Sequence, residues 1–218
     1  MVSTPKRKQK TSQKVIHQIL FDIGRGDAKK IMEDKPEWRE NMNTNKKLNP
    51  SWRHILWTDK SANAFVQRYY PQYKGMIASF PHRFYFIDFF RYLVLTRMGG
   101  IYIDMDVRCK KPLPNVDIIL GGVYDIKDKI NNNVIRLTAD LNQRLLNYCV
   151  EEYKRIKSKD LFSTMPGRRF LHSVSATMFA RFCRINKVRS DIPFRPFFYD
   201  EAARSWIKGE DAIVKKGY

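Results

Sequence analysis

The sequence predicts an α/β fold, a single Rossmann-like domain with a mainly parallel central sheet and helices on both faces. Three observations predict it. Two apolar runs, Val15 to Phe21 (VIHQILF) and Trp52 to Asp59 (WRHILWTD), read as strands separated and followed by helical signals, which is the βαβ alternation of a parallel sheet. Phe84 to Met98 is apolar nearly all round, as expected of a helix buried on several sides. The 218 residues, 43% hydrophobic and 13% aromatic, suit one sizeable core.

In chain order, residues 1–14 are polar, basic and unpatterned, with a dense run at Lys6, Arg7, Lys8 and Lys10, and are read as a disordered tail. Residues 15–218 form the domain. Val15 to Phe21 is the first strand. Asp22 to Lys47 is polar; Pro36 suits the first turn of a short helix containing Trp38, and Trp38 with Asn41 to Asn45 is read as a loop over a ligand. Asn49-Pro50 signals a turn. Trp52 to Asp59 is the second strand, with Trp57 in the core. Asp59 or Ser61 caps a helix over Ala62 to Tyr70 that Pro71 ends. Ile118 to Tyr124 is a strand, Asp125 to Asn133 a polar turn, and Val134 to Leu137 a further strand. Leu145, Leu146, Cys149, Val150 and Tyr153 give Leu141 to Lys157 the spacing of a surface helix. Ser173 to Ile185 is a helix with an apolar face, and Ile192 to Tyr199, with Pro193 and Pro196, is extended.

The stretch carrying chemistry is FYFIDFFRYLVLTRMGGIYIDMDVRCKKP, residues 84–112. Asp88 and Arg91 interrupt the apolar helix three residues apart, on one face. Gly99 and Gly100 end the helix, since glycine takes the left-handed cap without strain. Ile101-Tyr102-Ile103 reads as a short buried strand, and alternation puts Tyr102, Asp104 and Asp106 on one side. Two carboxylates at a strand end suit a hard divalent cation, and strand ends of open α/β sheets are where ligands bind. Burying Asp88 and Arg91 is costly unless they are paired or liganded.

This stretch resembles the Asp-Xaa-Asp glycosyltransferases of the GT-A fold. It is most similar to the group of fungal initiating α-1,6-mannosyltransferases and bacterial capsular sugar transferases, and more distantly to the glucosyltransferase domains of large clostridial toxins. The matching residues are Asp88, Arg91, Tyr92, Gly99, Gly100, Tyr102, Asp104 and Asp106, with the spacing between them. The Ile-His-Gln-Ile and Leu-Trp-Thr-Asp runs are also similar. Relatives often carry an arginine two residues before the helical aspartate; here that position is Phe86, and Arg83 stands nearby.

The resemblance implies a hexosyltransferase using a nucleotide-sugar donor, UDP-sugar favoured over GDP-sugar, with retention of anomeric configuration. It implies Mn²⁺ or Mg²⁺ on Asp106 directly and on Asp104 through water, with Asp104 otherwise bonding ribose and sugar. Asp88 accepts bonds from sugar hydroxyls, Arg91 contacts sugar or diphosphate, and Tyr102 donates to phosphate. Asp88, Arg91 and Asp104 are the candidate catalytic residues. His17 and Gln18 are placed beside the base, although a structural histidine is the simpler reading of His17. Asn132 or Asn133 matches an asparagine near the transferring sugar, and Asn133 is assigned to the pocket. Thr164, Pro166 and Gly167 resemble a Thr-Gly-Pro turn, and Ser205 and Trp206 a C-terminal Ser-Trp element on the diphosphate. Residues 15–111 then bind the nucleotide sugar, and 112–218 shape the pocket for a glycan, lipid-linked or protein-linked sugar acceptor.

The formal net charge is +19, which attracts polyanions. It admits peripheral contact with an anionic membrane and a competing class, a nucleic-acid binder or metal-dependent nuclease. That class is disfavoured: the charge is spread over the chain, and a two-metal nuclease needs more converging acidic ligands. Cys109, Cys149 and Cys183 are widely spaced and odd in number, as free thiols of a reducing compartment are. No apolar run reaches the ~20 residues of a membrane span. The expected setting is cytoplasmic, or a domain cut from a larger or anchored protein.

Overall fold

The computed structural model describes residues 13–22, 28–80, 83–123, 126–159 and 175–200. The elements in order are β1 (Val15–Ile19), α1 (Ala28–Asp34), α2 (Pro36–Leu48), β2 (Arg53–Trp57), α3 (Asp59–Tyr69), a 3-10 turn (Pro71–Tyr73), α4 (Lys74–Ala78), α5 (Arg83–Met98), β3 (Ile101–Ile103), β4 (Val107–Cys109), β5 (Ile119–Val123), β6 (Ile126–Arg136), α6 (Ala139–Ser158), α7 (Ala176–Ile185), α8 (Phe194–Phe197) and β7 (Phe198–Asp200). Five strands form one sheet in the order β2-β1-β3-β6-β5. β1 runs parallel to β2 and β3, while β6 runs antiparallel to both β3 and β5. Four strands therefore point one way and β6 opposes them. β4 and β7 form a separate antiparallel ribbon.

Side-chain alternation divides the core between the two faces. Ile19, Trp57, Tyr102, Leu120 and Ile135 pack against Phe65 of α3, Phe89, Phe90 and Leu93 of α5, Leu145 of α6 and Phe179 of α7. Ile16, Ile101, Ile103, Ile119 and Val134 pack on the other face against Val107 and Cys109 of β4, Phe198 of β7 and Leu48 of α2. Helices thus cover both faces, as the sequence predicts. Much of the packing on the first face is aromatic: Phe90 meets Trp57 edge-on at 5.3 Å and Phe65 at 5.7 Å between ring centres.

Several elements differ from the sequence-based expectation. The stretch read as a loop over a ligand is α2, and Asn41 and Asn45 face inward. From Ile126 on, the polar run read as a turn lies within β6, because pairing with β5 supplies the backbone hydrogen bonds that its composition does not advertise. The α3 cap is Thr58, whose N–H donates to Ser61 Oγ (2.9 Å) at the third helical position, so Ser61 completes the cap and Asp59 lies inside the helix. Thr138, one residue before α6, takes the Leu141 N–H at 3.4 Å. β3 stops at Ile103, and the Asp104 carbonyl accepts the Val107 N–H at 3.1 Å. Asp106 is therefore presented by a turn, not by strand alternation.

The three cysteines are buried, unpaired thiols. Among the described residues, no helix is long and apolar enough to cross a membrane. The Thr164, Pro166, Gly167, Ser205 and Trp206 assignments, and residues 1–12 of the basic tail, lie outside the described residues.

Gly99 and Gly100 both have positive φ, +64° and +87°, and together turn the chain from α5 into β3. A Cβ on Gly99 would meet open space, whereas one on Gly100 would run into the Val15 carbonyl. Gly99→Ala is expected to cost about 1–2 kcal/mol, the strain of the left-handed region for an L-residue. Gly100→Ala adds a backbone clash and is expected to cost about 3 kcal/mol or more. Urea unfolding of the two variants checks the order.

Candidate active site

The site lies where β3 ends, in a cluster built around Arg91. α5 is apolar on nearly every side because it is sandwiched between the sheet and α6, so Arg91 is buried with it and Asp88, one turn earlier, is mostly covered. Arg91 Nη2 stands 2.7 Å from Asp88 Oδ1, and Arg91 Nη1 3.5 Å from Asp104 Oδ1. Nη1 also donates to the Asn132 carbonyl at 2.7 Å. The guanidinium lies over the Tyr102 ring, 4.5 Å from its centre. Tyr102 donates its hydroxyl to Asp104 Oδ1. Side-chain exposure rises outward from 6% at Arg91 through 13% at Asp88 to 28% at Asp104.

Burial pushes the carboxyls of Asp88 and Asp104 above the usual carboxylate range, and the Arg91 charge pulls both back. Burial opposes the charge on Arg91 too, but Tyr102, Asp104 and Asp88 outweigh it and hold the guanidinium ionised. Burial also keeps the Tyr102 phenol neutral, so it acts as a donor.

Two further residues complete the cluster. Asn132 Nδ2 donates to Asp88 Oδ1 at 3.0 Å and lies 3.5 Å from the Tyr92 hydroxyl. Ser175 hydrogen-bonds Asp88 from the start of α7, and its side chain makes no capping bond there. Asn132 reaches Asp88 because β6 bulges. Leu120 pairs with Ile135 and Gly121 with Asn131, so Asn132, Asn133 and Val134 have no β5 partner between them. Asn133, the residue assigned to the pocket from sequence, instead donates to the Gly122 carbonyl at 3.1 Å, and its own carbonyl takes the Asp104 N–H at 2.8 Å. Ser175 escaped sequence reading, which placed it inside a helix over Ser173 to Ile185; the described helix starts at Ala176.

His17 is fully buried. Its Nε2 donates to the Gly99 carbonyl at 3.0 Å and its Nδ1 accepts from Trp57 Nε1 at 3.2 Å. Both ring nitrogens are therefore occupied within the protein. Gln18 is also buried, on the opposite face of β1. Arg83 pairs with Asp59, which takes the Asp22 N–H at 2.7 Å, and lies over the Phe21 and Phe86 rings. The guanidinium nearest Phe86 is thus tied to α3.

The donor set fits a hard divalent cation held jointly with a ligand. Asp104 Oδ1 is engaged by Tyr102 and faces Arg91, while the half-buried Asp106 follows in the turn. No group of three or more His, Cys, Asp or Glu side chains suited to a metal stands together among the described residues. Two carboxylates leave most of a six-coordinate shell to phosphate oxygens and water, as Mg²⁺-type sites do.

Residues 35–133 match the family described as glycosyltransferase sugar-binding region containing DXD motif. Asp104-Met105-Asp106 is its Asp-Xaa-Asp motif. An inositol phosphoceramide mannosyltransferase of Schizosaccharomyces pombe is 33% identical over 104 residues, covering 46% of this chain and 30% of that protein. The initiation-specific α-1,6-mannosyltransferase of Candida albicans is 32% identical over 97 residues, 42% of this chain and 24% of that one. The matches therefore span less than a third of these relatives' length. The solved PaToxG glycosyltransferase superposes with a TM-score of 0.50 at 15% identity over 80% of this chain and 70% of its own, which establishes a shared fold.

Replacing Arg91 by Met leaves two part-buried carboxylates without their cation and is expected to cost about 3 kcal/mol in urea unfolding. His17 yields a pH test. Burial, against the Gly99 bond, lowers its pKa from 6.5 to about 4. Below pH 6.5 the unfolded chain takes up a proton that the folded chain refuses, so stability falls as pH drops toward 4, by about 3 kcal/mol in all. A His17→Gln variant should lack this part of the acid sensitivity; denaturation curves at pH 7, 5.5 and 4 measure the difference.

Proposed function

We propose that the chain is the catalytic portion of a metal-dependent glycosyltransferase that moves a hexose from a nucleotide-sugar donor to a hydroxyl acceptor. The observation that carries this reading is the Arg91 cluster: a buried arginine fork holding Asp88 and Asp104 beside the Asp106 turn. Asp88, oriented by Arg91, Asn132 and Ser175, is shaped to accept hydrogen bonds from sugar hydroxyls. Asp104 offers its exposed part to ribose, sugar or metal-bound water, and Tyr102 holds its other side. Asp106 is the direct ligand for Mn²⁺ or Mg²⁺. When bound, the cation neutralises charge developing on the departing diphosphate. Arg91 adds fixed positive charge in a low-dielectric setting, where it acts on the leaving group without reorganising.

Relatives named as mannosyltransferases favour a mannosyl donor over the UDP-sugar preferred on sequence grounds. Their names also favour a glycan or lipid-linked acceptor over a nucleic acid. Retention of configuration is carried as part of the same reading.

The test is a thermal-shift panel of UDP- and GDP-activated hexoses with Mn²⁺. One donor is expected to raise the Tm by several degrees, and Asp106→Ala to remove the rise. With [L] at 100 Kd the linkage is about 2.7 kcal/mol, ample for detection. Absence of a shift with every donor rejects the reading. The anomeric linkage of the product, read by NMR, decides retention.

A further inference from the structure

Helix α2 and its C-cap residue carry asparagines at 41, 45 and 49, spaced by four so that they lie along one side. All three are buried, at 1%, 0% and 2% exposure. Buried amides on a helix require partners, and these find them on the backbone of residues 105–113. Asn41 Nδ2 donates to the Met105 carbonyl at 3.2 Å. Asn45 Nδ2 donates to the Val107 carbonyl at 3.0 Å, and its Oδ1 accepts the Cys109 N–H at 2.6 Å. Asn49 Oδ1 accepts the Leu113 N–H at 2.7 Å, and its Nδ2 bonds back to the Asn45 carbonyl at 2.9 Å.

The pattern at Asn45 copies a parallel strand. A residue in such a strand donates to the carbonyl before its partner and accepts the N–H after it. Asn45 does both around Arg108 with a side chain alone. β4 therefore has β7 on one edge and a ladder of helix side chains against the other. A helix is stiffer than a loop, so the ladder gives the segment a rigid back wall.

The end of the ladder falls at the metal turn. Met105 is the middle residue of Asp104-Met105-Asp106, and its carbonyl is the atom Asn41 holds. The Asp104 carbonyl is tied to the Val107 N–H, and the Val107 carbonyl to Asn45. Asp106 thus sits between two carbonyls that α2 anchors. We propose that Asn41 and Asn45 are positioning residues: they set the backbone of the Asp104–Val107 turn so that the two carboxylates are pre-arranged for a cation. Groups behind metal ligands have this effect elsewhere, where their loss weakens metal binding roughly 10- to 100-fold. The inference rests on reading Asp104 and Asp106 as a metal site.

Two measurements on the whole chain test it. The variants are Asn41→Leu, close in shape with no donor, and Asn41→Ala, which also covers failure of the first to fold. Amide hydrogen exchange of the metal-free protein reads the turn directly. Exchange over residues 104–110 is expected to quicken by roughly tenfold in both variants while the β1 and β6 amides stay slow. Mn²⁺ titration, followed by the EPR signal of the free ion in the presence of GDP or UDP, reads the consequence. The dissociation constant is expected to rise roughly tenfold or more. Unchanged exchange over 104–110, or faster exchange with wild-type Mn²⁺ affinity, overturns the proposal. If the wild-type chain itself fails to bind Mn²⁺ with either nucleotide, the metal reading falls and the positioning claim with it. Faster exchange in the variants would then leave the ladder as a purely structural device.

Discussion

The structure depends on one buried charge. Arg91 lies in the middle of α5 with its guanidinium inside the domain, where an ionised group is tolerated only if its donors are met. Its two terminal nitrogens are met from three directions, by Asp88 on its own helix, Asp104 after β3 and the Asn132 carbonyl in β6, while Nε makes no hydrogen bond. Satisfying Arg91 therefore draws β6 to the corner where α5 turns into β3. The Tyr102 ring underneath completes the shell.

The same constraint explains the irregular parts of the fold. A regular β6, flanked by β3 and β5, would spend its carbonyls on the ladder and leave none for Arg91. The bulge opposite β5 turns Asn132 toward α5 and leaves the Asn133 carbonyl for the Asp104 N–H. The Gly99-Gly100 corner does comparable work at the other end of β3. It brings the strand back beside β1 closely enough that His17 bonds to the Gly99 carbonyl. A buried, neutral imidazole in that position is a tether between β1, β2 and the end of α5.

The two layers behind the site have different chemistry. On the α5 face the support is aromatic and apolar, with Trp57, Phe65 and Phe90 meeting edge to face. On the α2 face it is amide against backbone, from Asn41, Asn45 and Asn49. Apolar packing specifies distance but tolerates rotation. Hydrogen bonds to named carbonyls specify orientation, which a turn carrying the two carboxylates of the proposed metal site needs.

What the sequence determined by itself was local. The apolar period of α5, the two glycines after it and the short Ile-Tyr-Ile strand were legible, because each depends on neighbours within a few residues. The pairing of Asp88 with Arg91 was legible for the same reason, being one helical turn. The tertiary structure alone decided which asparagine of three meets Asp88, since a bulge shifts alternation and leaves no mark in composition. It alone decided that the polar asparagines of α2 point inward, because their partners are backbone groups some sixty residues away. It also set Asp106 on a turn and not on the strand, where Asn41 and Asn45 hold the Met105 and Val107 carbonyls on either side of it. Long-range hydrogen bonds have no sequence period, and that is the physical reason these features appear only in three dimensions.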